Sequence, residues 1–190
     1  MNAVVSTITQ LLPAEIVTTD PEQITLYSQD VFTVGPPICA VVRPRNIDEV
    51  QALVRACIER GTPIVTRGGG MSYTSGYIAN APDSVLIDMA SMDAIVEINL
   101  EDRYVTVEAG CSWQKLYEHL APLGVRTAYW GTLSGRYATV GGGLSQNSIF
   151  WGSGQRGTAA DNVLSVSVVT GKGDLLETGS AAQQHAAPFT

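Results

Sequence analysis

The stretch from Pro63 to Gly76, PIVTRGGGMSYTSG, constrains this chain more than any other. Ile64 to Thr66 reads as a short buried strand, which breaks into a loop with four glycines in the nine positions from Gly68 to Gly76. One cation, Arg67, stands at the break. Glycine lets backbone N–H groups turn inward together and approach a ligand that side chains would keep away. Consecutive inward N–H groups form a concave anion site, and an arginine adds a planar, charge-assisted fork. The loop suits a phosphate or pyrophosphate. A tight surface turn beside an unrelated arginine has the same composition, and the loop alone leaves both readings open.

The standard nucleotide signatures are missing. A Rossmann turn needs Gly-x-Gly-x-x-Gly opening a helix, but the run from Gly68 ends at Tyr73 and the run from Gly141 ends at Gln146. A P-loop needs Gly-Lys followed by Ser or Thr, whereas Gly171 and Lys172 are followed by Gly173. Net charge is −7, with no run of lysines or arginines. That argues against nucleic acid and anionic membranes as partners. No apolar run reaches membrane-spanning length, and the N-terminus lacks a basic start and a long apolar core. Cys39, Cys57 and Cys111 are odd in number and widely spaced, which suggests neither a disulfide framework nor a metal cluster. His119 and His185 stand alone and read as surface residues. The expected location is the cytoplasm, and no metal is expected.

The flanking sequence places the loop in an α/β unit. Short helical patterns occupy the first thirty or so residues, one of them opened by Asp20 and Pro21. Ile38 to Arg43 reads as a strand stopped by Pro44. Asn46 caps a helix with Glu49 as capping-box partner, an apolar face of Val50, Leu53, Val54, Cys57 and Ile58, and Gly61 as its C′ glycine. The strand at Ile64 follows, so these two strands are expected to be parallel. The loop then leaves the carboxyl end of a strand, where ligands of α/β sheets sit. Ser84 to Asp88 is a further strand. Ala94 to Asn99 and Arg103 to Glu108 are strands around a turn, and Ser112 caps a helix carrying Trp113, Leu116, Tyr117 and Leu120 that ends near Gly124. Gly131 to Ser148 is rich in Gly, Ser and Thr and contains a second glycine loop from Thr139 to Asn147. Asn162 to Thr170 and Leu175 to Thr178 form a hairpin signal, followed by a polar, alanine-rich tail. Two small α+β parts divide near residue 90, each supplying one glycine-rich loop.

With both loops in view, the chain resembles the FAD-binding domain of the vanillyl-alcohol oxidase / para-cresol methylhydroxylase (PCMH-type) flavoprotein family. The resemblance runs from Ile38 to about Ser180 and rests on motifs in succession. Val42, Arg43 and Pro44 lead to Asp48–Val50, then Arg67–Gly70 with Ser72 and Gly76. Leu86–Asp88 with Met92 follows, then Val107–Gly110 with Trp113. Thr139–Gly142 with Leu144 and Ser145 comes next, then Asp161–Leu164 running into Val169–Gly171 and Gly173. The stretch from Tyr137 to Gly173 is especially similar to cytokinin dehydrogenases and to alcohol or hydroxy-acid oxidases. The resemblance implies an α+β, PCMH-type fold of two α/β subdomains with FAD between them. An extension over residues 1–36 would precede a domain over 37–190, with subdomains at about 37–90 and 91–180. Arg67, Gly68, Gly69, Gly70, Met71 and Ser72 would hold the pyrophosphate. Ser134, Thr139, Gly141, Gly142 and Ser145 would line the flavin and ribityl chain, and Gly110 would lie near the adenine side. The hairpin from Asn162 would back the cofactor from within the core.

Several positions depart from the family pattern. Where many members attach FAD through a histidine, this chain has Gly70 or Met71. Tyr137 stands at the cysteine attachment motif, and Cys111 falls off it, so noncovalent FAD is expected. Ser134 aligns with an acidic residue that some relatives place beside the flavin, so no catalytic residue is assigned. Family enzymes continue with elements that complete the FAD domain and with a substrate or cap domain. The resemblance thus implies the N-terminal portion of a longer enzyme that oxidises an alcohol, 2-hydroxy acid or amine. Its small-molecule substrate would be met through the missing part, and an exposed cut face would favour self-association. The alternatives are a non-catalytic remnant serving as an interaction domain and, ranked last, a nicotinamide-linked reductase branch of the same fold.

Overall fold

The structure, a computed structural model, describes residues 2–179. A four-stranded sheet positions the first glycine loop. Its strands are β1 (Val17–Thr18), β2 (Ala40–Val42), β3 (Ile64–Arg67) and β4 (Val85–Asp88), in the order β1-β2-β4-β3. Every residue of β2 and β4 is buried, the signature of parallel strands covered on both faces. As expected, β2 and β3 run parallel, but β4 lies between them and pairs in parallel with each. Strand β1 pairs antiparallel with β2.

On one face pack α1 (Ala3–Leu11) and α3 (Ile47–Glu59), which bury Val4, Val5, Ile8, Leu53 and Cys57 against β2 and β4. On the other, Ile38, Val41, Ala79 and Leu86 meet Ile24 and Tyr27 of α2 (Pro21–Tyr27). The N-terminal residues, expected to form an extension, therefore complete this core. Asp20 caps α2 by accepting from the Gln23 N–H at 3.0 Å, and Asn46 caps α3 through the Glu49 N–H at 2.9 Å. The Glu49 carboxylate accepts from the Arg45 N–H at 2.7 Å, one residue before the cap. Gly61, at φ +62°, closes α3 with the paired bonds of a Schellman motif, Thr62 N–H to Cys57 O and Gly61 N–H to Ile58 O. One position of the expected apolar face is corrected. Ile58 is exposed and Ala56 is buried, because the buried arc of α3 is skewed toward the Ala56 side.

The second half is built on the antiparallel pair β5 (Ile95–Asn99) and β6 (Tyr104–Val107). Helix α4 (Trp113–Leu120) is capped by Ser112, whose Oγ accepts from the Lys115 N–H at 3.1 Å. Trp113, Leu116, Leu120 and Tyr129 form its core with Ile95, Ile98, Val105 and Val107. Two short helices follow, α5 (Val140–Ser145) and α6 (Ser153–Arg156). The expected hairpin forms from β7 (Ser167–Val169) and β8 (Leu175–Glu177). It is shorter than Asn162 to Thr170 because residues 160–162 coil into a 3-10 turn. It docks on α3, where the Gly173 carbonyl accepts from Gln51 Nε2 and Arg55 at 2.8 Å each. The expectation that this segment backs a cofactor from within the core is not met. Val163, Leu164 and Val168 are exposed and line a broad groove facing β5 and β6. The tail from residue 180 lies outside the described residues, as does His185. Among the described residues no helix is long and apolar enough to cross a membrane.

Candidate functional site

The loop after β3 meets the second glycine segment at a cleft of about 480 Å³, within the size range of small-molecule sites. Its walls are the end of β3, Gly68, Gly76, Met89, Ala109, Thr139, Gly141, Gly142 and Ser145. Two segments separated by some seventy residues in sequence thus line one cleft, and the glycines explain how. A Cβ on Gly68 would stand 2.5 Å from Thr139 Oγ1, and one on Gly69 would overlap the Tyr137 carbonyl. Gly141 lies against Ala109, where an added Cβ would come within 2.7 Å of the alanine Cβ. A larger residue at Gly68 or Gly69 would push the first half away from Thr139 and the Tyr137 backbone, whereas Gly141 keeps the packing within the second half close.

The two loops offer a ligand different things. In the first, among the described residues, no backbone N–H from Gly68 to Tyr73 donates to a protein acceptor. The segment is shaped by the left-handed Gly70 at φ +65° and by Tyr77, whose Oη donates to the Gly70 carbonyl at 3.0 Å. Unsatisfied, partly buried N–H groups in succession are the donors an anion needs. The second segment, expected as a loop, is instead the helix α5 opened by the Thr139 cap, and its donors are already used. Val140 N–H donates to Cys111 O and Gly141 N–H to Ala109 O. Gly142 N–H donates to Thr139 Oγ1 at 3.1 Å, and Gly143 N–H to Thr139 O. What Gly141 and Gly142 give is room, and Thr139, buried and capping α5, fixes it in place.

The remaining sequence candidates spread around this cleft. Arg67 is absent from its walls; its guanidinium lies over the rings of Tyr27 at 4.6 Å and Tyr77 at 5.4 Å. Met71 is exposed and Ser72 half-buried, with Ser72 Oγ bonded to Thr74 Oγ1 at 3.1 Å. Gly110 is a packing position, since an added Cβ would overlap the Met89 carbonyl while its N–H donates to Met92 O. Ser134 lines no part of the cleft, and its carbonyl accepts from the Tyr137 and Ala138 N–H groups. Cys111 is wholly buried, and burial pushes its thiol above the ordinary range. Sequence reasoning overlooked Tyr27, Tyr77 and Asp88. Asp88 stood inside a recognisable motif, but nothing in the motif says that its carboxylate holds Tyr27 Oη at 2.8 Å and Arg43 Nε at 3.1 Å.

A glycine-walled cleft at the carboxyl end of a parallel strand, with donors on one side and bare backbone on the other, has the form of a cofactor-binding α+β domain. Residues 38–179 match the FAD binding domain family. The chain belongs to that family, whose ligand is FAD. It is 34% identical over 149 residues to the mitochondrial D-lactate dehydrogenase [cytochrome] of Arabidopsis thaliana, covering 78% of this chain and 26% of that protein. It is 37% identical over 142 residues to the D-2-hydroxyglutarate dehydrogenase of Escherichia coli K12, covering 73% of this chain and 14% of that one. The chain therefore spans about a quarter or less of the length of these two relatives. The structure of p-cresol methylhydroxylase with substrate bound superposes with a TM-score of 0.79 at 21% identity, over 96% of this chain and 36% of that one. The PCMH-type α+β fold expected from the sequence is the fold observed.

Proposed function

We propose that this chain holds FAD noncovalently at the glycine cleft and is the FAD-binding module of an oxidoreductase acting on a 2-hydroxy acid. The observation that carries the reading is the cleft itself, where the loop beginning at Gly68, its N–H groups without protein acceptors among the described residues, lies so close to Thr139 that a Cβ on Gly68 would clash. The N–H groups of Gly68 to Ser72 would receive the pyrophosphate, with Arg67 adding positive charge behind them. Thr139, Gly141, Gly142 and Ser145 would form the opposite wall, with Ser145 Oγ held by the Gly142 carbonyl at 2.9 Å. When bound, FAD supplies the two-electron acceptor for a hydride leaving carbon that bears a hydroxyl. The protein's contribution here is to bind, orient and shield it. Two relatives named for D-lactate and D-2-hydroxyglutarate support the 2-hydroxy acid class. Noncovalent attachment is supported by Met71 at the end of the glycine run and by the buried, protonated Cys111, neither suited to a flavin bond.

Visible absorbance of the purified chain before and after acid precipitation tests the reading. Yellow protein that releases its colour to the supernatant is the expected result. Colour kept in the pellet overturns noncovalent attachment. A colourless protein that takes up no added FAD favours the alternative, an interaction domain of the same fold.

A further inference from the structure

Asp88 is the register partner of Arg67 across β3 and β4, so it is the carboxylate best placed to neutralise it. Its oxygens are engaged elsewhere. Oδ2 accepts from Tyr27 Oη and Arg43 Nε, and Oδ1 accepts from the Ala90 N–H at 3.1 Å. The Asp88 side chain is only 2% exposed, and Arg43 also donates to Tyr27 Oη at 2.9 Å. Among the described residues, Arg67 has no carboxylate within ion-pair distance. It lies instead over two tyrosine rings, which attract its charge without cancelling it. An arginine is charged at every working pH. In a chain of net charge −7, a half-buried arginine without a carboxylate partner is positive charge left available to a ligand.

We propose that Tyr27, on α2, is a positioning residue that keeps Arg67 available to the pyrophosphate of a dinucleotide, an inference that rests on the FAD reading above. Its ring carries the Arg67 guanidinium, and its hydroxyl shares with Arg43 the Asp88 oxygen that would otherwise compete for that guanidinium. Without Tyr27, Arg67 settles onto Asp88 and its charge is lost to the ligand. Helix α2 thereby sets the affinity of a loop some forty residues further along the chain.

The test is the dissociation constant of FAD, and of ADP as a pyrophosphate probe without flavin, measured by titration calorimetry on the full 190-residue chain. Tyr27→Leu is expected to weaken both ligands about tenfold, the scale of one charge-assisted hydrogen bond. Tyr27→Phe, which keeps the ring, is expected to lose clearly less. In an Arg67→Gln background, Tyr27→Leu should add nothing, and Asp88→Asn should restore affinity to Tyr27→Leu by removing the competitor. Tyr27→Met, closer in length, repeats the series should the leucine variant not fold. Wild-type affinity in Tyr27→Leu overturns the proposal, as does simple additivity with Arg67→Gln, which would mark a general packing role. A wild-type chain that binds neither FAD nor ADP overturns the FAD reading and this inference with it. FAD binding that survives every Tyr27 variant overturns this inference alone.

Discussion

Replacing Gly68 with alanine tests the joint between the two halves of the cleft. The new Cβ would lie 2.5 Å from Thr139 Oγ1, about an ångström inside ordinary van der Waals contact. Thr139 is 4% exposed, and its hydroxyl caps α5 through the Gly142 N–H, so neither group can yield freely. If the threonine rotates away, the cap is lost, at about 0.5–2 kcal/mol. If the backbones separate instead, overpacking costs about 1–3 kcal/mol. Either route gives a loss near 2 kcal/mol, or a fall in melting temperature of about 4–8 °C for a chain of this length. Thermal unfolding followed by circular dichroism reads it directly. The double variant Gly68→Ala/Thr139→Ala removes the clash and the cap together, so it should melt close to the single Thr139→Ala variant. Gly154→Ala, inside α6 with an added Cβ that meets nothing within 4 Å, is the control and should melt at or slightly above wild type. Gly68→Ala melting as wild type, or losses that add in the double variant, would refute the argument.

Two further outcomes follow from the same reasoning. Burial raises the Cys57 thiol from 9.0 to about 12. The folded state then holds the thiol proton more tightly than the unfolded chain, so this contribution to stability is complete below pH 9 and is lost between pH 9 and about 12. Melting temperatures across pH 8–11 should fall less steeply in Cys57→Ala than in wild type, and parallel curves would count against it. Gly61→Ala places a side chain at φ +62° with open space around it, so the expected loss is the backbone term alone, about 1 kcal/mol, read from a denaturant midpoint.

The local grammar of the chain was legible. Asp20, Asn46 and Ser112 cap the helices they were expected to cap, Gly61 closes α3 in the left-handed region, and Gly124 closes the 3-10 turn that follows α4. These features depend on neighbours in sequence. What escaped depends on neighbours in space. Nothing in the spacing of two strands says that β4 will be inserted between them, and a helix wheel cannot tell which side of its apolar arc meets the sheet, so Ile58 and Ala56 exchanged roles. The same divide runs through the site. The first glycine segment could be found as a loop, whereas the second, also expected as a loop, coils into α5; the close approach of Gly68 to Thr139 accounts for two of the expected residues at once. The Tyr27, Arg43 and Asp88 cluster joins α2, the residue after β2 and the end of β4, positions about sixty residues apart at the extremes, and no local pattern announces it. Ser134 was expected along the flavin and Gly110 near the adenine side; the contacts they make are to Thr132, Tyr137 and Ala138 for the one and to Met89 and Met92 for the other.

The internal satisfaction of α5 has a consequence for how a ligand would come and go. Its first-turn donors are tied to Ala109, Cys111 and Thr139 whether or not anything occupies the cleft, while those of Gly68 to Tyr73 wait for a partner. One wall is an anvil and the other a clasp. Amide hydrogen exchange would separate them, since protection at residues 140–143 belongs to the fold and protection at 68–73 would arrive with the ligand. The entropy of ordering on binding would then fall on that single short loop and not on α5.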